Sequence, residues 1–123
     1  MMRILIAARQ ALTRSALGLL LQKGQGWEVV GEAADSDELL VEVRSKHPEV
    51  VLLEWDLPGL STADLLATVR RVNSRLAVVV LSGRPELEPA VRAAGADAFF
   101  DLGDPPQRFV ATLQALGEGM PPD

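Results

Sequence analysis

The sequence predicts an α/β domain built on a doubly wound, five-stranded parallel sheet, and three observations carry that prediction. Five short apolar runs alternate along 123 residues with five segments of helical period. The run Val50 to Leu53 is apolar at every position, as a strand covered on both faces must be. Polarity then returns at once with Glu54 and Asp56, and Pro58-Gly59 turn the chain; in an open α/β sheet, the carboxyl ends of the strands are where ligands and chemistry gather.

Arg3 to Ala7 is the first apolar strand. The next segment places Leu12, Ala16, Leu19 and Leu20 at offsets of four, seven and eight, predicting a helix that turns this stripe inward and stops at Lys23-Gly24. Trp27 to Ala33, with the β-branched pair Val29-Val30, predicts a second strand with Trp27 packed at a sheet edge. Asp35 and Glu38 have the spacing of a capping box, so a second helix starts there and runs to about His47, where Pro48 ends it. The central strand follows. Ser61 caps a third helix with Leu65, Leu66, Val69 and Val72 on its inner face, and Leu76 to Leu81 is the fourth strand.

Pro85 to Ala94 carries Leu87, Ala90, Val91 and Ala94 at helical spacing, with Gly95 as a left-handed stop. Pro85 and Pro89 make this fourth helix start late and run short. Ala96 to Phe100 forms the fifth strand, and Pro105 suits the first turn of a last helix whose inner stripe is Phe109, Val110, Leu113 and Leu116. The expected organisation is one domain over residues 1–116, then a Gly/Pro-rich stretch, 117–123, as a flexible tail or the start of a linker.

Composition narrows the function classes. A 48% hydrophobic and 24% charged chain is ordinary for a soluble globule, and no apolar run is long enough to span a bilayer. With no cysteine there is no disulfide framework or thiolate metal site, and with no targeting segment in view the expected compartment is the cytoplasm. A net charge of -5, without any Lys/Arg block, argues against direct contact with nucleic acid. The single histidine, His47, has no second ligand near it in sequence and sits where a helix end favours positive charge, so it is not read as a metal site.

Five matching strings then give a resemblance: Arg3-Ile4-Leu5-Ile6-Ala7, Val29-Val30-Gly31-Glu32-Ala33, Val50-Val51-Leu52-Leu53, Leu57-Pro58-Gly59 and Gly95-Ala96-Asp97-Ala98-Phe99-Phe100-Asp101. In order and on the expected elements, they make the chain resemble a response-regulator receiver domain of the CheY-like, flavodoxin-like fold, nearest in texture to the NarL-type receiver. The resemblance covers nearly the whole chain and implies strand order 2-1-3-4-5 with the site at the carboxyl edge. It also implies a set of site positions. The acidic pair that holds Mg²⁺ in the family falls on Ala8 and Arg9, the phosphoacceptor aspartate on Glu54, the hydroxyl position on Ser82, the lysine on Leu102, and the switch aromatic on Phe99.

Elementary chemistry says what those departures do. Mg²⁺ requires near-octahedral oxygen coordination, and a methyl group with a guanidinium removes ligands and adds repulsion, so no metal or other cofactor is expected. Glu54 is one methylene longer than aspartate, and displacing a reacting atom by roughly 1 Å costs on the order of 100-fold in rate. Leu102 brings no charge to an anionic transition state. Asp56 lies two residues past the strand end, where the family uses only its backbone, and is not expected to be the acceptor.

Two readings of Arg9 stay open: its guanidinium pairs with Glu54 and fixes the pocket, or it points into water beside a solvated Glu54. Glu54 reads either as a built-in mimic of the phosphorylated state or as drift after the chemistry was abandoned, and Ser82 reads either as a hydrogen-bond partner for it or as an ordinary small polar residue at a strand end. Trp55 reads as a partner anchor or as a lid over the third helix, and with Asp56 and Pro58 it makes a candidate partner surface.

The expectation is therefore a non-enzymatic, phosphorylation-independent pseudo-receiver, an interaction or dimerisation module in two-component signalling. A complete chain would signal through a protein partner, including a second copy of itself. A chain cut from a longer regulator would signal through an attached output domain. The resemblance puts dimerisation and output on the face made by the fourth helix, fifth strand and fifth helix. Two rivals are a working single-domain phosphoacceptor and a small-ligand sensor on the same open sheet edge, the latter without a Gly-rich phosphate loop to support it.

Overall fold

The computed structural model describes residues 1–24 and 26–119, with side chains described as far as residue 117. Alternation of apolar strands with helical segments gives the predicted sheet, all parallel and in the order β2-β1-β3-β4-β5. The strands are β1 Met2–Ala7, β2 Trp27–Ala33, β3 Val50–Glu54, β4 Ala77–Ser82 and β5 Ala98–Asp101. The helices are α1 Ala11–Leu21, α2 Ser36–Lys46, α3 Thr62–Val72, α4 Glu88–Ala93 after a 3₁₀ turn at Pro85–Leu87, and α5 Pro106–Gly119. None of these helices is long and apolar enough to cross a membrane.

The period-two alternation of strand side chains divides the core into two layers. Leu5, Ala7, Val51, Leu53, Val78 and Val80 face α2, α3 and α4. Ile4, Ile6, Val50, Leu52, Val79 and Leu81 face α1 and α5, where the Phe100 and Phe109 rings meet edge-on at 5.0 Å. Both faces of β3 and β4 are covered, which is why those sequences run apolar without alternation.

Local signals account for most helix ends. Asp35 accepts a hydrogen bond from Glu38 N–H at 2.8 Å, and the Glu38 carboxylate in turn accepts one from Ala34 N–H at 2.8 Å, a capping box displaced by one residue. At the other end His47 takes a left-handed conformation before Pro48, and the Arg3 guanidinium caps the carbonyls of Lys46 and His47. Ser61 caps α3 through Asp64 N–H, and Gly95 stops α4 with φ at 100°. The short, late fourth helix also follows the prediction.

Four expectations need correction. The inward residues of α1 are Leu17 and Leu21, with Leu20 half-buried, while Leu12 and Leu19 are 83% and 64% exposed and Ala16 is also exposed. This helix is apolar on nearly every side, so spacing alone could not choose the face. Arg14 chooses it, because it shares a face with Leu17 and Leu21 and binds the preceding loop. Val72 is exposed at the end of α3. β5 begins at Ala98 rather than Ala96, because the Asp97 carboxylate itself takes Val78 N–H at 2.7 Å. Finally, α5 continues through Gly119, so residues 117–119 of the expected tail are helical, and 120–123 lie outside the described residues.

Candidate functional site

Parallel strands bring the carboxyl ends of β1, β3, β4 and β5 to one edge, so Ala8, Arg9, Glu54, Ser82 and Leu102 lie together there. Ala8 is fully buried and continues the sheet by donating its N–H to Ala33 O at 3.0 Å. Arg9 is exposed, and its guanidinium enters no ion pair among the described residues. Its main chain makes the contact instead: Arg9 N–H donates to Glu54 Oε1 at 3.0 Å. Of the two readings left open for Arg9, the structure has the exposed guanidinium, and the contact to Glu54 is a backbone hydrogen bond. The reason is local. The turn after β1 aims an otherwise unpaired helix-proximal amide across the edge at the half-buried carboxylate of β3.

The guanidinium that does act here belongs to Arg14, which the sequence reading passed over. Its Nη1 donates to Ala8 O at 2.7 Å and to Arg9 O at 3.2 Å, while its Nε donates to Glu32 Oε1 at 2.9 Å. Its side chain is only 18% exposed. One signal in the sequence points to it: a lone charge on an apolar helix, three and seven residues before Leu17 and Leu21 and so on their face.

Ser82 is buried, and its Oγ accepts from Arg84 N–H at 3.1 Å; the structure shows this local turn bond in place of a bond to Glu54. Leu102 donates its N–H to Ser82 O at 2.9 Å and leaves its side chain 39% exposed at the lysine position. Phe99, at the switch position, is half-buried against the core beneath α3 and α4. Trp55 packs half-buried on that same core, which fits the lid reading of its ring.

Asp56 has φ of 68° and an exposed carboxylate 3.8 Å from Arg84 Nη2. Pro58 and Gly59 are tied to α2: Ser36 N–H donates to Pro58 O at 2.9 Å, and Ser36 Oγ accepts from Leu60 N–H at 3.0 Å. Gly59 has φ of 112°, and a Cβ there would lie on Ser36 Oγ.

As a chemical site this edge is poor in donors for a cation. Among the described residues there is no group of three or more Asp, Glu, His or Cys able to hold a metal. Ala8 offers a methyl group, one Glu54 oxygen is engaged by Arg9 N–H, and Asp56 turns toward Arg84. The residues present do not fit the magnesium site that the fold implies. What the edge does provide is a closed run of hydrogen bonds, from Glu32 through Arg14 and the Ala8-Arg9 backbone to Glu54.

Known proteins share this framework. The structure superposes on the signal receiver domain of the putative response regulator NarL from Mycobacterium tuberculosis with a TM-score of 0.84 at 24% identity, covering 96% of this chain and 97% of that one. It superposes on the isolated REC domain of RcsB from Salmonella enterica serovar Typhimurium with a TM-score of 0.85 at 22% identity, covering 96% and 89%. In sequence it is 25% identical over 121 residues to the response regulator UvrY of Escherichia coli, 97% of this chain and 56% of that protein. It is 30% identical over 118 residues to the phosphate regulon transcriptional regulatory protein PhoB of Klebsiella pneumoniae, 93% of this chain and 51% of that protein. The chain thus spans about half the length of the curated relatives it matches. With the sheet order and a match to the family model over residues 4–102 in agreement, the chain belongs to the response regulator receiver domain family.

Proposed function

We propose that this receiver domain works without phosphoryl transfer, as a protein interaction module of two-component signalling. The observation that carries this reading is the engagement of Glu54 by Arg9 N–H, at an edge where Ala8, Arg9 and Leu102 stand at the metal and lysine positions. A carboxylate already hydrogen-bonded, without a metal or lysine opposite, has neither the orientation nor the charge stabilisation that attack on a phosphoryl group requires.

The surface supports an interaction role. The outward face of α1 presents Leu12, Ala16 and Leu19, and the one charge of that helix, Arg14, is used internally. Beside it lies a groove of about 490 Å³ lined by Gly18, Leu19, Trp27 and Val29 among others. Exposed apolar area rimmed by polar groups marks a contact surface. The turn after β3 adds a second surface feature, with Asp56 exposed between the half-buried Trp55 and Pro58. The partner is a protein: an output domain on the same chain, as the relatives' greater lengths favour, or a separate molecule such as a second copy.

The test uses Trp55 fluorescence in a Trp27→Phe background, titrated with Mg²⁺ and then beryllofluoride. No change is expected. A saturable response to both reagents overturns the reading and favours a phosphoacceptor, for which the half-buried carboxylate of Glu54 at the end of β3 is the supporting observation. Mass spectrometry after a small phosphodonor, on the parent and on Glu54→Gln and Asp56→Asn variants, would then identify the acceptor.

A further inference from the structure

We infer that Arg14 is the positioning residue of this edge, an internal cation that orders the Ala8-Arg9 segment and so aims Arg9 N–H at Glu54. The inference deepens the metal-free reading above, since a loop ordered by its own guanidinium does not depend on a bound ion for its shape. Three elements meet on this one side chain. Its Nη1 reaches two successive carbonyls, Ala8 O and Arg9 O, at 2.7 and 3.2 Å, and its Nε reaches Glu32 Oε1 at the end of β2 at 2.9 Å. Two carbonyl oxygens and a carboxylate oxygen are the kind of donor set that surrounds a hard cation. A planar guanidinium satisfies them with fixed N–H directions, which a hydrated ion does not have.

The geometry gives the chain of cause. The two carbonyls belong to the peptide units on either side of Arg9 Cα, and Ala8 O lies in the same peptide plane as Arg9 N–H, so holding Ala8 O orients that plane while holding Arg9 O restrains the next one. The Ala8-Arg9 plane carries the N–H that donates to Glu54 at 3.0 Å. Arg14 does not touch Glu54 in this arrangement; it acts through the backbone. Only the bond to Ala8 O is sheltered, since the Arg14 side chain is 18% exposed but its Glu32 partner is 52% exposed, so the carbonyl contact is less open to screening than the outer carboxylate anchor.

The test follows individual amides in the full ¹⁵N-labelled chain. Arg14→Met keeps the stem and removes every donor. Hydrogen exchange at Arg9 is expected to speed up by about tenfold or more relative to exchange at Val78, whose amide is held by Asp97 at the other edge of the sheet. Arg14→Lys is expected to restore little of it, because one ammonium lacks the planar fork. If Arg9 and Val78 change in parallel, or neither changes, Arg14 is a stabilising contact only and the inference is overturned. Should Arg14→Met fail to fold, Glu32→Gln decides: it weakens the outer anchor while leaving the carbonyl bonds, and a selective but smaller acceleration at Arg9 is expected. An unaltered Arg9 in that variant is the contrary result. Recovery of Arg9 protection in Arg14→Met on adding Mg²⁺ would support the cation role of Arg14 and sink the metal-free reading, so the two stand or fall separately.

Discussion

The two edges of the sheet are closed by the same parts, a carboxylate, an arginine and a strand-end amide, yet they are assembled differently. At the amino edge Asp97 Oδ2 accepts both Val78 N–H at 2.7 Å and Arg70 Nη2 at 2.8 Å, so cation and amide meet on one oxygen. At the carboxyl edge, among the described residues, Glu54 accepts only Arg9 N–H, at 3.0 Å, and the guanidinium of Arg14 acts one step away through carbonyls. The amino edge is a lock. The carboxyl edge is a brace, with one Glu54 oxygen left uncommitted among the described contacts. The carboxyl edge is thus held by the same kinds of groups as the amino edge, without the direct meeting of cation and amide on one oxygen.

Breaking the lock should cost most. Asp97→Ala removes the acceptor for Val78 N–H and the partner of Arg70, whose Nε is already buried without a hydrogen bond. Leaving a buried donor unsatisfied costs about 1–3 kcal/mol, and the expected loss is at the upper end of that range, read as a shift of the urea midpoint at constant slope. A loss below that range would mean that the amino edge is no tighter than the carboxyl edge. Next comes Gly59→Ala, which strains the turn that ties the carboxyl edge to α2. Its φ of 112° and the Ser36 Oγ in the path of a Cβ predict about 1–3 kcal/mol, measured the same way.

How far the sequence announces these edges differs between them as well. The parallel sheet with helices on both faces and the short α4 follow from periodicity and from proline and glycine chemistry, which act over a few residues, whereas the strand order comes from the resemblance to the receiver family. The Glu38 capping contact is legible for the same reason. What is not legible is any bond in which a long side chain meets main-chain atoms distant in sequence. The sequence leaves open whether Arg9 pairs with Glu54 or faces water, and gives no sign that the acting guanidinium sits five residues later and reaches back to two carbonyls. The inward stripe of α1 failed on the same ground: Leu12, Ala16 and Leu19 have the right spacing, but Arg14 fixes the rotation of the helix. Asp97 likewise read as part of an ordinary strand string until its carboxylate proved to occupy the place of a strand carbonyl.

The outward face of α1 gives a smaller effect and a sharper contrast. Leu12→Ser with Leu19→Ser changes residues that are already in water, so the stability of the isolated domain should stay within about 0.5 kcal/mol. Association, measured by sedimentation at increasing concentration or by binding to an attached output domain, is where the double variant should differ. A large loss of stability would place these leucines in the core after all.

The finest test compares matched amides at the two edges. Asp97→Asn and Glu54→Gln each keep a carbonyl oxygen of the right length for the strand-end N–H and remove only the charge. At the amino edge that charge is bonded directly to Arg70, so Asp97→Asn should cost about 1 kcal/mol, the scale of a charge-assisted bond reduced to a neutral one. At the carboxyl edge no guanidinium touches Glu54 in the described contacts, and Glu54→Gln should cost about 0.5 kcal/mol or less. Equal costs would show that Arg9 or Arg14 reaches the carboxylate in solution, turning the brace into a second lock. A Glu54→Gln variant more stable than the parent would instead mean that the carboxylate is held against its preference for water. That would be the residue of an acidic site whose cation has been lost.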